Sequence, residues 1–188
     1  MKRYILALTG ASGMPYAISL LETLLQLPDV ETHVIISESA SKILALEADI
    51  SVDFFKRAKA VYYQNEISAP AASGSWEHQG MIICPCSMAS VAAISCGQGD
   101  NLIHRAADVS IKEKRQLILV PRETPLSQIH LQNMLSLAQA GAILMPACPG
   151  FYHKPKQLQE LVNFVVARVL DHLNINHQLS PRWQEPTL

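Results

Sequence analysis

The sequence predicts a three-layer α/β fold of the Rossmann-like type with a mostly parallel sheet, and two observations carry that prediction. Short apolar runs rich in Val, Ile and Leu recur along the 188 residues, and stretches with helical periodicity follow them. Near-continuous apolarity is typical of strands covered on both faces, and strand–helix alternation gives parallel strands joined by right-handed crossovers. A chain of this length corresponds to one domain with a substantial core.

Six of the apolar runs are predicted to be strands. In chain order they cover residues 4–8, 32–36, 60–63, 81–84, 117–120 and 142–145. The first run follows two basic residues, as in a signal peptide, but it stops at the Gly-rich turn of residues 9–13, too soon for a secretory segment. We therefore interpret it as the first strand of the sheet.

Four longer stretches are predicted to be helices, at residues 14–27, 101–114, 128–140 and 156–173. In the first of them, Ile18, Leu21 and Leu25 recur at helical spacing. In the last, one apolar stripe is formed by Leu158, Leu161, Val162, Val165, Val166 and Val169. The apolar-rich segment 41–49 is interpreted as a further helix.

These elements predict a single domain over residues 1–175. The polar residues 176–188 are expected to leave the domain as a C-terminal tail that contacts a neighbouring subunit. Charged residues make up only 16% of the chain, against about 25% in an average domain. Low charge predicts that subunit contacts cover part of the surface.

Composition also excludes several classes of partner. The net charge of -1, without a basic block, argues against nucleic acid. The longest apolar runs are shorter than the roughly 20 residues of a membrane span, so no membrane is expected. The four cysteines lack the paired CxxC spacing of a zinc site, and disulfides are rare in the cytosol. A cytoplasmic protein without a metal is expected.

Hydroxyl side chains recur where the predicted strands end. The strand ends are residues 9–13, 37–39, 85–87, 121–123 and 146–150, and three of the five place a hydroxyl beside a helix start. Ligands of open parallel sheets bind beyond the carboxyl ends of the strands, and helix N-termini favour anions. Helix capping alone explains any one hydroxyl. Their convergence predicts a cofactor that carries phosphate.

Missing motifs narrow the choice of cofactor. Residues 9–13 lack the GxGxxG pattern, and the second strand ends at Ser37 instead of an acidic ribose ligand, which disfavours a dinucleotide. The sequence also has no Gly-Lys-Ser/Thr segment, which disfavours a P-loop nucleotide site. A mononucleotide such as FMN, held by hydroxyls and Arg122, fits what remains.

Several ordered motifs together resemble the flavin prenyltransferases of the UbiX/Pad type. They are TGASG (9–13), ASGS (72–75), CPCS (84–87), NLIxRAADVxxKE (101–113), LVPRExP (119–125), IHLxNM (129–134), PGFYHxP (149–155) and PRW (181–183). The resemblance runs from about residue 4 to residue 183. It implies a flavoprotein-type fold and a homo-oligomer, typically a dodecamer, without a metal.

The resemblance also implies an activity. Enzymes of this type join a dimethylallyl group from dimethylallyl phosphate to N5 and C6 of reduced FMN. Prenylated FMN then serves partner decarboxylases of the UbiD type, in ubiquinone synthesis or aromatic acid decarboxylation.

Site residues are carried over motif by motif. By resemblance, FMN is held by Gly10, Ala11, Ser12, Ser37, Ser87 and Arg122. The allylic phosphate is held by Arg105, Lys112, Tyr152 and Arg168, some of them from a neighbouring subunit. The implied catalytic residues are Ser12, Glu47, Glu123 and Trp183, the last from the tail of another subunit.

The chemistry explains why cations are needed. Breaking an allylic C–O bond concentrates negative charge on the departing phosphate, and Arg and Lys donors stabilise that charge more in the transition state than before it. Arg105 and Lys112 lie seven residues apart, so they share one helix face and could grip phosphate jointly. The plainer alternative is a solvated face on which Arg105 pairs with Asp108.

Plain alternatives exist for other residues as well. Arg168 could be a snorkelling side chain at the margin of the apolar stripe. Glu47 could be an ordinary surface glutamate, and Arg122 with Glu123 could merely pin a loop. Glu123 or the departing phosphate could relay the ring proton released at C6.

Two positions depart from the family pattern. Ile67 stands where many relatives have an aromatic ring that can contact the allyl cation, and cation–π stabilisation of roughly 0.5–2 kcal/mol would be lost there. Trp76 is the nearby residue that could compensate. Met88 replaces a hydroxyl residue after CPCS and removes one possible phosphate ligand.

Two other functions remain open from the sequence. An FMN-dependent cysteine decarboxylase is the first, although PASANT-like and PxMNxxMW-like segments are absent from the chain. A non-catalytic protein that binds or delivers FMN is the second, and Ile67 makes it worth testing.

Overall fold

A computed structural model describes residues 1–183 and contains one six-stranded sheet in that range. The strands are β1 Lys2–Leu8, β2 Val30–Ile36, β3 Ala60–Tyr63, β4 Gly80–Cys86, β5 Gln116–Pro121 and β6 Ile143–Leu144. All neighbouring strands pair in parallel, in the order β3-β2-β1-β4-β5-β6. The predicted three-layer α/β class is confirmed.

Six α-helices cover the two faces of the sheet in the described range. They are α1 Met14–Leu25, α2 Glu38–Ala48, α3 Met88–Ser95, α4 Leu102–Lys112, α5 Gln128–Gln139 and α6 Leu158–His172. Short 3₁₀ turns lie at Val52–Arg57 and Pro70–Ala72. Buried side chains of α1, α2 and α6 pack on one face, and those of α3, α4 and α5 pack on the other.

Alternation along β1 shows how the strands serve both layers. Leu6 and Leu8 point toward the α1 and α6 layer, whereas Ile5 and Ala7 point toward the α3 and α4 layer. All four are fully buried, as expected for a central strand of a parallel sheet.

Helix boundaries follow local chemistry. Helix α1 begins directly after Gly13, whose φ of 122° suits glycine, and Pro15 occupies its first turn. It ends at Leu25 rather than at residue 27. Helix α6 begins at Leu158 rather than at residue 156.

Strand β4 extends two residues beyond its predicted end at residue 84. The ladder with β5 shifts between Ile83 and Cys86, which accommodates Pro85 because proline cannot donate to a ladder. At the other extreme, β6 has only two residues where four were predicted.

The strand order reverses direction at β1. The chain runs outward from β1 to β2 and β3, then returns to β4 on the other side of β1. A crevice therefore opens beyond the carboxyl ends of β1 and β4, the position at which such sheets bind ligands.

Candidate functional site

A crevice of about 330 Å³ lies at this switch point. It is lined by Thr9, Gly10, Ser37, Ser39, Gln64, Ser87, Ala89, Ser90, Asn101, Ile103 and His104. The lining comes from the ends of β1, β2, β3 and β4 and from the first turns of three helices. Three of the predicted FMN residues, Gly10, Ser37 and Ser87, are thus brought together.

Three helices begin at the crevice with a side-chain cap. Ser37 Oγ accepts a hydrogen bond from Ala40 N at 3.0 Å, and Ser87 Oγ accepts one from Ser90 N at 3.2 Å. Asn101 Oδ1 accepts one from His104 N at 3.0 Å. The positive ends of α2, α3 and α4 therefore point toward one volume, which favours an anionic ligand.

Gly10 allows the turn after β1 to lie against α2. A Cβ at this position would lie 2.5 Å from Ser39 Cβ, a distance that atoms do not tolerate. The backbone of residues 9–10 can therefore approach a ligand between the strand ends. Ala11, the next predicted FMN residue, is buried beneath this turn.

A hydrogen-bonded chain crosses the floor of the crevice. Ser87 Oγ donates to Ser90 Oγ at 3.2 Å, and Ser90 Oγ lies 3.2 Å from His104 Nε2. Because Asn101 Oδ1 caps α4, its Nδ2 faces His104 Nδ1 at 3.1 Å and donates to it. His104 Nε2 then carries the ring proton and donates to Ser90. Burial lowers the pKa of His104, which favours this neutral ring.

The second group of predicted residues surrounds the start of α1. Glu47 Oε2 accepts hydrogen bonds from Gly13 N and Met14 N, both at 2.9 Å. Arg122 Nε donates to Ser12 O at 3.3 Å. Glu47 therefore caps the positive end of α1 beside Ser12 and Arg122, and none of these three residues is among those that line the crevice.

The charge state of Glu47 follows from these bonds. Burial alone would raise the pKa of Glu47, but the Ser12 side chain, the N–H groups of Gly13 and Met14 and the Arg122 charge lower it overall. Glu47 is consequently ionised at neutral pH. As a carboxylate it can fix the loop or accept a proton, and it cannot act as an acid there.

A separate cavity of about 260 Å³ lies between α6 and the C-terminal residues. Its lining includes Tyr152, Arg168 and Trp183, together with Phe164, Asp171 and Ser180. Tyr152 and Trp183 pack edge to face with ring centroids 4.8 Å apart. Arg168 Nη1 lies 2.7 Å from Asp171 Oδ2. Two of the four residues predicted for the allylic phosphate, Tyr152 and Arg168, thus meet the predicted catalytic residue Trp183 in one chain.

The C-terminal tail differs from the prediction that it leaves the domain. His177, Arg182 and Trp183 pack back onto α6 and Tyr152 of their own chain. Trp183 was expected to act from the tail of another subunit, and its visible contact is with its own protomer. Residues 184–188 of the predicted tail lie outside the described residues.

Arg105 and Lys112 lie away from both cavities, on α4. Arg105 Nη1 pairs with Asp108 Oδ2 at 3.0 Å, and its Nε donates to Ala72 O at 3.3 Å. Lys112 Nζ lies 3.2 Å from Glu113 Oε1. Within one chain each of the two cations is thus paired with an acidic neighbour, as in the plainer alternative of a solvated helix face.

Glu123 and the two departures from the family pattern are also placed. Glu123 is exposed, and its Oε1 accepts a hydrogen bond from Thr124 N at 3.0 Å. Ile67 is 48% exposed, and Met88 is buried in the core. Trp76, the residue that could compensate for Ile67, has one face of its ring covered by Arg3, whose Cζ lies 4.5 Å from the centroid.

Some lining residues escaped the sequence analysis. Gln64, Ser90 and Asn101 line the crevice, and Asp171 organises the second cavity. The only available signals were capping patterns: a hydroxyl three residues after Ser87, and Asn101 directly before an apolar helix start. His104 also lines the crevice, and its position there comes from tertiary packing alone.

Within residues 1–183, no three His, Cys, Asp or Glu side chains lie close enough to hold a metal ion. No helix of that range is both long and apolar enough to cross a membrane.

The parallel sheet and the hydroxyl-lined crevice at its switch point define a flavin- or nucleotide-binding α/β protein, and comparison with known proteins agrees. The Flavoprotein family model matches residues 1–170. Flavin prenyltransferase LpdB of Lactiplantibacillus plantarum is 50% identical over 185 residues, with 98% of this chain and 99% of that protein covered. The chain belongs to the flavoprotein family and, within it, to the flavin prenyltransferases of the UbiX/Pad type.

Solved structures show the same relationship. The dodecameric FMN-dependent UbiX-like decarboxylase from Escherichia coli O157:H7 superposes with a TM-score of 0.95 at 43% identity, covering 97% of this chain and 100% of that one. AnUbiX (PadA1), in complex with FMN and dimethylallyl pyrophosphate, gives a TM-score of 0.95 at 41% identity, covering 99% of each chain.

Proposed function

We propose that this protein transfers a dimethylallyl group from dimethylallyl phosphate to N5 and C6 of reduced FMN. The observation that carries the proposal is the presence of two distinct cavities in one chain. A flavin-binding module needs only the crevice, whereas Tyr152, Arg168 and Trp183 form a cationic and aromatic cavity suited to an allyl phosphate. Flavin prenyltransferase LpdB, at 50% identity, is named for this activity, and AnUbiX (PadA1), at 41% identity, is in complex with FMN and dimethylallyl pyrophosphate.

The crevice residues are proposed to bind FMN. The helix N-termini capped by Ser37, Ser87 and Asn101 supply backbone N–H groups for its phosphate. Arg122, which donates a hydrogen bond to Ser12 O, is proposed to bind FMN together with Ser12. FMN supplies the nucleophilic ring positions when bound. Gly10 and Ala11 let the backbone pass close to it.

The cations are proposed to receive the departing phosphate. Arg168 keeps free N–H groups after pairing with Asp171, since a guanidinium has five donors. Tyr152 can add a hydroxyl donor. These bonds strengthen as negative charge develops on the leaving oxygen, so they lower the barrier to C–O cleavage.

Glu47 and Glu123 have separate proposed roles. Ionised Glu47 fixes the loop that carries Ser12 and lies beside Arg122. Glu123 is exposed in one chain and is proposed to take up the proton released at C6, either itself or through the departing phosphate.

We further propose that the complete site forms between protomers. Neither Arg105 nor Lys112 lines the crevice or the C-terminal cavity of its own chain. They can therefore bind the same phosphate as Tyr152 and Arg168 only across a subunit interface. Helix α5 leaves Ile129, Leu131 and Leu135 between 50% and 72% exposed, and such an apolar face is typical of a subunit contact. A dodecamer is the proposed assembly.

Two finer proposals concern the cellular context. The product is proposed to pass to a UbiD-type decarboxylase, because prenylated FMN is useful only to an enzyme that adopts it as a cofactor. A cytoplasmic location is proposed from the unpaired cysteines, whose thiols are all free in the described range.

Anaerobic incubation with reduced FMN and dimethylallyl phosphate tests the activity. Mass spectrometry of the released flavin should show the addition of one prenyl group. An unchanged flavin mass from folded, FMN-loaded protein would reject the proposal.

A non-catalytic FMN carrier is the second candidate, favoured by the aliphatic and half-exposed Ile67. Arg105→Ala distinguishes the two functions. The enzyme should lose prenylation while retaining flavin, whereas a carrier should retain its flavin-binding function and show no prenylation even as wild type.

A further inference from the structure

Asp171 is the point at which the C-terminal tail joins α6. Its Oδ2 accepts from Arg168 Nη1 at 2.7 Å, and its Oδ1 accepts from Arg182 Nη1 at 2.7 Å and from His177 Nε2 at 3.0 Å. The carboxylate belongs to α6, as does Arg168, whereas the other two donors belong to the tail. One side chain therefore connects the cavity cation to the segment that carries Trp183.

His177 of the tail donates a hydrogen bond to Asp171 even when its imidazole is neutral. His177 Nδ1 accepts a hydrogen bond from Leu179 N at 3.3 Å, so the ring proton resides on Nε2 and points at Asp171. The His177 side chain is only 3% exposed. This contact therefore holds with a neutral imidazole.

The charge of Asp171 is maintained by its partners. Burial alone would raise the pKa of Asp171, but hydrogen bonds from Arg182 and His177 and the charge of Arg182 lower it overall. An ionised carboxylate that faces two guanidinium groups holds both in place. Each Arg keeps N–H groups that can bind another anion.

The tail also brings polar and aromatic groups to the cavity. Trp183 packs edge to face on Tyr152 with centroids 4.8 Å apart, and Tyr152 Oη lies 3.5 Å from Pro181 O. Ser180 lines the same cavity, and its Oγ is buried without a hydrogen-bond partner among the described residues. An anionic ligand in the cavity would supply that partner.

From these contacts we infer that Asp171 is a positioning residue for the allyl donor. It orients the Arg168 guanidinium and holds residues 177–183 so that Ser180 and Trp183 complete the wall around the donor phosphate. Asp171 itself touches neither substrate. This inference rests on the proposed function, because it assumes that the cavity receives dimethylallyl phosphate.

Asp171→Asn is the direct test, made in the full chain. The variant keeps the shape of the side chain but removes the charge that pairs with Arg168 and Arg182. We expect the KM for dimethylallyl phosphate to rise about tenfold or more, the loss expected for one charge-assisted hydrogen bond. FMN affinity should not change, because the crevice shares no lining residue with this cavity.

A double-mutant cycle separates positioning from general destabilisation. If Asp171 acts by holding the tail, Arg182→Gln should raise the same KM, and the double variant should be no worse than the poorer single variant. Independent effects that multiply would overturn the inference. If Asp171→Asn does not fold, Arg182→Gln alone still tests the positioning role. This variant keeps the hydrogen bonds that Arg168 and His177 donate to the Asp171 carboxylate.

Asp53→Asn is the matched control. Asp53 forms an i,i+3 ion pair with Lys56 at 2.6 Å, as Asp171 does with Arg168, but both partners are more than 60% exposed. The control should leave KM unchanged. An Asp171→Asn variant whose KM matches that of the control would overturn the inference.

Trp183 fluorescence provides a readout that does not need the reaction. Asp171→Asn should shift the tryptophan emission as Trp183 leaves Tyr152, and the shift should vanish in a Trp183→Phe background, where only Trp76 emits. If wild type forms no prenylated flavin, the proposed function fails, yet this measurement still tests the contact. Unchanged Trp183 emission would overturn the positioning role.

Discussion

The crevice and the C-terminal cavity hold their polar groups by different means. In the crevice, Ser37, Ser87 and Asn101 each bond the N–H three residues further on, so their positions are set by the helices they begin. In the C-terminal cavity, Arg168 and the tail are held by side-chain bonds to Asp171. The first site is built from secondary structure, and the second from a few charges.

This difference predicts different responses to substitution. In the crevice, backbone N–H groups of several helices contribute to anion binding, so the loss of any one side chain should weaken FMN binding only slightly. In the cavity, the guanidinium groups of Arg168 and Arg182 supply the positive charge of the lining, so the loss of either should have a larger effect. Substitutions should therefore affect chemistry most in the cavity and flavin binding most at the tightest point of the crevice.

The largest effect is expected for Arg168→Ala. Removal of one preorganised donor to a developing anion typically lowers kcat roughly 10²- to 10³-fold, and Arg168 is the cavity cation on α6. Steady-state prenylation kinetics should show this loss, while titration with FMN should give wild-type affinity. Lys42→Ala, which removes an exposed i,i+4 partner of Glu38, serves as the control. Loss of FMN binding in Arg168→Ala would show that the two sites are not separate.

Acid should destabilise the folded chain through its buried histidines. Burial, aided by the charge of Arg115, lowers the pKa of His78 to about 4. Because an unfolded His titrates near 6.5, the unfolded state takes up the proton first as the pH falls, and stability is lost progressively between about pH 6.5 and pH 4. The loss amounts to about 3 kcal/mol at most. Burial also lowers the pKa of His33, in the same direction.

Urea unfolding at several pH values between 7 and 4.5 measures this loss of unfolding free energy. His78→Gln should flatten the dependence of the unfolding free energy on pH, whatever its effect at pH 7. Asp171, whose pKa is lowered, should stay ionised throughout, so Trp183 emission should not follow the same curve. A slope unaffected by His78→Gln would assign the acid sensitivity to other groups.

Gly10→Ala should damage the crevice by steric means alone. The added Cβ would lie 2.5 Å from Ser39 Cβ, so the turn and α2 must separate. Overpacking of this kind typically costs about 1–3 kcal/mol, and part of the loss should appear as weaker FMN binding. Ser39→Gly in the same chain should recover some affinity. At Gly99 a Cβ would meet nothing nearer than Arg105 Cδ at 3.7 Å, so Gly99→Ala should bind FMN normally.

The same contrast explains how far the sequence could be interpreted. Apolar runs and strand-end hydroxyls are local patterns, so they predicted the sheet and placed Ser37 and Ser87 in the crevice. The position of the C-terminal tail brings Trp183 together with Tyr152 and Arg168. Local sequence periodicity does not predict that position. Asp171 resembles an ordinary helix-surface acid until Arg182 returns to it. Short elements such as β6 were misjudged because neighbouring strands, not their own residues, set their ends.

The smallest effect is expected for Ser37→Ala, and it gives the sharpest test of a site held by secondary structure. Loss of an N-cap typically costs about 1 kcal/mol, because Ala40 N would lose the bond that Ser37 Oγ now accepts at 3.0 Å. FMN should still bind, a few-fold more weakly at most, since α3 and α4 keep their caps. Equilibrium unfolding and FMN titration, with Ser51→Ala at the cap of the distant 3₁₀ turn as control, separate the two contributions. A complete loss of FMN binding would mean that one hydroxyl, not the convergence of three helices, defines the crevice.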